Sequence, residues 1–297
     1  MENIYVIAGA TGNTGHLIAE NLLDNGKKVL AIARNQDKLK TLIGKGAKIL
    51  AGDIMDTEFL KKSLKEATAA YLLIPPSYQQ KDFRAYQNKV TESFVNALEG
   101  SAVKYIVALS SIGGHMKKGA GVVQGLHDFE EALKKLKDIN ILILRPGYFM
   151  ENFFGSIEMI KNMHVLGSPT KADVPVPMVA TRDIAEIASN HLLKLDFSGT
   201  VVQYVLGPRD MTFNEAASVL GKAIGVNDLK YVQFPYEDAK KAIVQSGLSE
   251  STAEAFVDLS RAFNSGEALN DHVRTFENTT PTSLEDFAKE FAAVYNS

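Results

Sequence analysis

Three glycines, Gly9, Gly12 and Gly15, stand two residues apart in the segment Gly9-Ala10-Thr11-Gly12-Asn13-Thr14-Gly15. The apolar run Ile4-Tyr5-Val6-Ile7-Ala8 precedes them, and a helical pattern, Leu17 to Leu23, follows. A strand that turns through glycines into a helix lets backbone N–H groups approach a diphosphate closely. No Cβ intervenes, and the helix start adds donors and partial positive charge. The spacing is G-x-x-G-x-x-G rather than G-x-G-x-x-G, so context carries the reading. Lys28-Val29-Leu30-Ala31-Ile32-Ala33 supplies the second strand of a βαβ unit. The whole loop, with Thr11, Asn13 and Thr14, is expected to hold the pyrophosphate of a dinucleotide.

The end of the second strand usually decides between the two nicotinamide dinucleotides, because an acid there accepts from a ribose 2′-OH and repels a 2′-phosphate. This chain has Ala33-Arg34-Asn35 instead. A planar guanidinium suits a phosphate, and Lys38 adds a second positive charge one turn on, which favours NADP(H) over NAD(H). The alternative is that Arg34 is a solvated loop charge or stacks on adenine. Asp53, after the third strand, is placed to accept from the adenine amino group while Ile54 packs on the ring. Its other reading is a helix cap for the segment starting near Asp56.

Strand-like runs at 47–51, 69–74, 105–109 and 140–144 alternate with helical patterns. This implies an α/β fold, a doubly wound parallel sheet of the Rossmann-like kind with helices on both faces. Loops leaving the carboxyl ends of its strands then share one crevice: Arg34-Asn35, Gly52-Asp53-Ile54, Ile74-Pro75-Pro76, Ser110 to Gly114, and Arg145-Pro146-Gly147-Tyr148. Ile74, Pro75, Pro76, Gly147 and Tyr148 are therefore expected to line the dinucleotide. The expected division is a dinucleotide-binding domain over 1–152 and a smaller, mostly helical substrate or lid lobe over 153–297. The two interleave near 176–206, where Val201 to Leu206 reads as a strand able to rejoin the main sheet.

With 297 residues, 45% of them hydrophobic, the chain has ample material for such a core. A net charge of −3 with mixed signs gives no basic stripe for nucleic acid and no polybasic segment for membranes. Cysteine is absent, so disulfides and thiolate chemistry are excluded. With no apolar signal or spanning run, the expected location is the cytoplasm. The histidines show no metal-ligand spacing, and no metal is expected. A homo-oligomer is left open.

The glycine loop, Arg34, Gly52-Asp53, Leu144-Arg145-Pro146-Gly147, Glu151-Asn152-Phe153 and Ala180-Thr181-Arg182-Asp183 resemble the NmrA-like branch of atypical short-chain dehydrogenases/reductases across the whole chain. The resemblance implies an NADPH-dependent oxidoreductase of the quinone or triphenylmethane-dye type. The same branch contains non-catalytic redox sensors that act through a protein partner. In ordinary short-chain dehydrogenases a Ser polarises the carbonyl and a Tyr-x-x-x-Lys pair delivers the proton. Here Ser110 or Ser111 fits the first role, with Ser111 preferred. The resemblance puts His127 at the tyrosine position and Glu131 at the lysine position, so the usual relay is missing. The string Tyr236-Glu237-Asp238-Ala239-Lys240 reads as a decoy in the second lobe.

Hydride transfer to a conjugated electrophile such as a quinone, azo compound or dye needs little enzyme-supplied acid, so orientation carries the catalysis. On that reading Tyr148, Phe149, Phe153 and Phe154, with Asn152, form an aromatic wall for a small conjugated acceptor, and His127 is an optional proton donor. The competing reading of the aromatics is ordinary packing.

Overall fold

The computed structural model describes residues 3–34 and 39–297. In β1 (Ile4–Ile7) successive side chains point to opposite faces, and both faces are apolar. Tyr5 and Ile7 enter one core and Val6 and Ala8 the other. The same two-sided burial recurs in β2 (Lys28–Ala33), β4 (Ala69–Leu72), β5 (Tyr105–Leu109) and β6 (Asn140–Pro146), while the edge strand β3 (Lys48–Ala51) is half-buried at Ile49 and Leu50 and exposed at its ends. Six further strands follow: β7 (Tyr148–Phe149), β8 (Val165–Ser168), β9 (Val176–Val179), then β10 (Thr200–Val205), β11 (Asp210–Met211) and β12 (Lys230–Gln233).

The main sheet runs β3-β2-β1-β4-β5-β6-β10, with every pairing parallel. Parallel strands need helical crossovers, and the helices cover both faces. Helices α1 (Asn13–Asp24), α2 (Lys40–Gly44), α3 (Thr57–Leu64), α4 (Phe83–Leu98) and α5 (Gln124–Leu133) belong to the first half. The second half carries α6 (Ile157–Met163), α7 (Thr181–Lys194), α8 (Phe213–Ala223), α9 (Tyr236–Gln245), α10 (Glu250–Ser265) and α11 (Leu284–Tyr295). Ile18 and Leu22 of α1 and Ile184 and Leu192 of α7 pack on one face; Leu60, Phe94 and Phe129 of α3, α4 and α5 pack on the other.

The chain order reverses between β1 and β4, which leaves a crevice at the carboxyl ends of those strands. Beyond it lies a third core, built from Met150, Phe153, Phe213, Leu220, Phe287 and Phe291. Two small sheets brace that core, β11-β9-β7 and β12-β8. The largely helical second lobe therefore contains strands that the sequence pattern does not announce. They are two to four residues long, too short to show a period, and β8 and β9 flank a stretch broken by Pro169 and Pro175.

Candidate dinucleotide and acceptor site

At the phosphate loop Gly9 adopts φ +67°, a region L side chains rarely enter. A Cβ on Gly15 would stand 2.4 Å from the Gly9 carbonyl oxygen, so the helix start closes directly onto the loop. Helix α1 begins after Gly12 with no side-chain cap and no acid in its first turn. Its N-terminal N–H groups thus face outward uncapped, the arrangement an anion fills. Thr11, Gly12 and Asn13 are exposed there. Thr14 is different. It is buried, and its Oγ1 accepts from the Tyr71 hydroxyl at 2.9 Å, so its side chain anchors α1 to β4 and leaves its backbone N–H for a phosphate. Burial raises the Tyr71 phenol, which keeps it a neutral donor. These features fit a dinucleotide pyrophosphate.

At the adenosine end Arg34 is exposed at the tip of β2. Lys38 lies outside the described residues. The cap reading of Asp53 is corrected by the geometry. Asp56 is the residue that caps α3, accepting from the N–H groups of Glu58 and Phe59 at 3.0 and 3.1 Å. Asp53 Oδ1 accepts from the Met55 N–H at 2.9 Å in a tight local turn beside half-buried Ile54.

Sequence reasoning missed Tyr86, in the first turn of α4. Its hydroxyl donates to the Pro75 carbonyl at 2.9 Å, and so holds the loop carrying Ile74, Pro75 and Pro76. Burial raises its phenol, while Arg34 pulls it down and Asp53 pushes it up. The charges of Arg34 and Asp53 both bear on this hydroxyl, which itself bonds the loop after β4. No local motif marks Tyr86; only the packing of α4 against the β4 loop reveals it.

At the acceptor end the structure separates the two serines. Ser110 is buried and donates to Glu130 at 2.5 Å, inside the fold. Ser111 is half-buried, and its carbonyl accepts from the Gly114 N–H at 3.0 Å in the turn after β5. His127 Nδ1 lies 2.8 Å from the Gly114 carbonyl, and a carbonyl only accepts. The neutral ring therefore carries its hydrogen on Nδ1 and presents Nε2 as an acceptor; only the doubly protonated ring donates from Nε2. Glu131 is exposed and pairs with Lys134 at 2.7 Å, away from His127's partner.

The aromatic residues divide. Gly147 is buried, and β7 points its two side chains to opposite sides: half-buried Tyr148 toward the second-lobe core and Phe149 toward the α1–α7 core. Burial raises the Tyr148 phenol. Phe153 is fully buried against Tyr148 and Phe213, with ring centroids 5.4 and 6.4 Å away. Phe154 lies against Phe287 and Phe291 of α11. Both pack the second lobe rather than face an open wall, while Asn152 is exposed. Tyr236 and Lys240, the decoy pair, clasp α9 to α10: Tyr236 accepts from Asn264 at 2.7 Å and Lys240 pairs with Glu254 at 2.5 Å.

Among the described residues no cluster of His, Cys, Asp or Glu is arranged to hold a metal, and no helix is long and apolar enough to cross a membrane.

A glycine-rich strand–turn–helix at a topological switch point of a parallel sheet, with a tyrosine-free α5 beside it, fits an atypical member of the short-chain dehydrogenase/reductase class. The model of the NmrA-like family matches residues 1–288, and the chain belongs to that family. An NAD(P)H azoreductase from Xenophilus azovorans is 23% identical over 98% of this chain and 99% of its own length. An NADPH-dependent quinone oxidoreductase from Escherichia coli, solved with NADPH, superposes with a TM-score of 0.81 at 21% identity, covering 97% of this chain and 99% of its own. The triphenylmethane reductase of Citrobacter sp. gives a TM-score of 0.80 at 21% identity, over 98% and 99%.

Proposed function

We propose that this protein is an NADPH-dependent reductase of small conjugated acceptors, quinone-like, azo or dye-type. The observation that carries the reading is the glycine-rich β1–α1 turn with its uncapped helix start, beside α5, on which the family resemblance implies His127 and Glu131 in place of a Tyr–Lys relay. Family relatives that reduce azo compounds, quinones and dyes support it.

In this reading the Gly9–Gly15 loop and the start of α1 hold the pyrophosphate, Arg34 receives the 2′-phosphate, and Asp53, Ile54 and the Ile74–Pro76 loop enclose the adenosine. Bound NADPH supplies a hydride. Gly147, whose missing side chain lets β6 close onto the Pro177 backbone, sets the strand end beside the nicotinamide, and Tyr148 offers the acceptor an aromatic face. Ser111 donates to the acceptor's polar atom, and His127 does so from Nε2 when its ring carries both protons. A conjugated product takes its proton from solvent, so no tyrosine is required, and catalysis comes from holding two rings in register. Residues 1–152 form the dinucleotide-binding domain and 153–297 the lid lobe, with β10 returned to the main sheet. The cysteine-free chain suits a reducing cytoplasm.

The missing relay also favours a second reading, a non-catalytic NADP(H) sensor that acts through a protein partner. It requires different affinities for the oxidised and reduced cofactor. One experiment separates the two: NADPH oxidation over a panel of quinones, azo dyes and triphenylmethane dyes, beside calorimetric titration with NADPH, NADP and NADH. Turnover well above the uncatalysed rate establishes the reductase. Tight binding of NADP(H) with no turnover on any acceptor establishes the sensor.

A further inference from the structure

Ser110, Arg145 and Tyr204 stand side by side at the carboxyl ends of β5, β6 and β10. Arg145 is in register with Tyr204, and the Ser110 N–H donates to the Leu144 carbonyl at 2.8 Å. Glu130 of α5, 1% exposed, meets this row from the helix face. Its carboxylate accepts from Ser110 Oγ and, as a fork, from Arg145 Nε and Nη2 at 2.9 and 2.7 Å. The other guanidinium nitrogen of Arg145 reaches outward, to the Tyr204 hydroxyl at 2.8 Å and to Asp271 Oδ2 at 3.0 Å. The Tyr204 hydroxyl donates to the same Asp271 oxygen.

Asp271 comes from the segment that follows α10, 126 residues further along the chain than Arg145. Its Oδ2 lies 2.8 Å from His115 Nδ1, and His115 Nε2 lies 3.1 Å from the Glu267 carbonyl. The Nε2–Glu267 hydrogen bond fastens the segment to the turn after β5, and the Nδ1–Asp271 contact adds an ion pair when the ring carries both protons.

Two observations argue that this cluster does more than stabilise. Desolvating three charged groups offsets much of their mutual attraction, and Asp271 Oδ1 is buried with no partner among the described residues. The cluster also supports the acceptor end of the site directly. A Cβ on Gly114 would stand 2.5 Å from Glu130 Oε1 and 3.0 Å from Ser110 Oγ, so the Ser111–Gly114 turn rests on the ion pair. Gly114 in turn fixes the His127 ring through its carbonyl.

We propose that Asp271 is a positioning residue: through Arg145 and Glu130 it fixes the Ser111–Gly114 turn, and with it Ser111 and His127, while pinning the 267–272 segment beside them. The kinetic consequence rests on the reductase reading; the structural coupling does not. The test is hydrogen–deuterium exchange on the full chain, comparing wild type with Asp271→Ala and Asp271→Asn, each with and without NADPH. Asp271 is partly accessible, so the variants are expected to fold.

In Asp271→Ala, amides of both 267–272 and 111–116 exchange about tenfold faster or more, while those of 4–24 do not change. Asp271→Asn keeps an oxygen for Arg145 and Tyr204 and recovers much of the protection. Calorimetry shows NADPH affinity unchanged to within about twofold, and acceptor kcat falls about tenfold in the alanine variant, as loss of orientation requires. Faster exchange confined to 267–272, with 111–116 unaltered, overturns the proposal and leaves Asp271 as a tether alone. If wild type reduces no acceptor, the reductase reading falls, and the exchange pattern still decides the coupling.

Discussion

Arg34 and Gly15 make opposite kinds of contribution to the cradle, one through a charge and one through the absence of a side chain. Arg34 stands exposed at the end of β2, where its guanidinium is free to fork onto a phosphate. Arg34→Ala is expected to cost ~1–3 kcal/mol of NADPH affinity, the range of a charge-assisted contact, and to leave NADH affinity unchanged. Calorimetry with both dinucleotides checks this, and equal weakening of the two would sink the assignment. Gly15→Ala places a Cβ 2.4 Å from the Gly9 carbonyl, a distance that backbone cannot yield without opening the loop. NADPH affinity is expected to fall by more than about tenfold, with a fall in stability of ~1–3 kcal/mol, the usual cost of forcing extra atoms into packed structure. Gly44→Ala, where a Cβ meets nothing within 4 Å, is the control and should be neutral or stabilising by up to ~1 kcal/mol. Thermal melts and titrations on the same preparations read both effects.

Helix α7 shows how an element can carry a family motif for structural reasons. Its N-cap, Ala180, has no side chain to give, and Glu151 supplies the cap from outside the helix. The Glu151 carboxylate accepts from the Thr181 N–H at 2.9 and 3.1 Å and from its hydroxyl at 2.5 Å. Asp183 then accepts from the N–H and hydroxyl of Thr282 at 3.0 and 2.6 Å, tying the approach to α11 onto the same helix. The strings Glu151-Asn152-Phe153 and Ala180-Thr181-Arg182-Asp183 are therefore readable in the sequence as a signature, but the role of Glu151 as the cap of α7 appears only when β7 and β9 bring them together.

Burial raises the Glu151 carboxyl above its ordinary value, and the Thr181 hydrogen bonds lower it only in part. A folded-state pKa above the unfolded one gives a stabilising contribution that is complete in acid and is lost as pH rises through the folded value. Glu151→Gln keeps an oxygen for Thr181 and removes the ionisation. Its melting temperature relative to wild type is expected to rise between pH 4 and pH 7, and a difference that is flat across that window would show that the carboxylate is not strained by burial.

At the scale of the molecule, sequence legibility followed range. The parallel sheet could be read because each strand is a local apolar run and each crossover a local helix; the glycine cradle could be read because seven consecutive residues build it. Tyr86, Glu130 and Asp271 could not, since each matters through partners that only the assembled strand ends bring near, and Phe153 and Phe154 looked like a wall because adjacency in sequence does not say which core a side chain enters. The proposed lid is of the same long-range kind. Helix α10 docks on the loop after β4: Ser249 N–H donates to the Tyr78 carbonyl at 3.0 Å, Ser251 Oγ accepts from the Phe83 N–H at 3.1 Å, and the Phe256 ring lies 5.2 Å from that of Tyr78.

Because α10 also packs on Gly121, just ahead of the His127 helix, where a Cβ would stand against the Ala255 carbonyl, the reading as a lid puts α10 over the acceptor end rather than the phosphate loop. Phe256→Ala removes a half-buried aromatic pair worth ~0.5–1.5 kcal/mol, and so lowers the melting temperature by about 1–4 °C in a chain of this size. If α10 is the lid, the same variant raises the acceptor KM several-fold, leaves NADPH affinity nearly as it was, and opens 249–266 to limited proteolysis. A lower melting temperature with an unchanged acceptor KM would make α10 part of the scaffold and move the lid role to the 267–282 segment, which Asp271 fastens to the other side of the crevice.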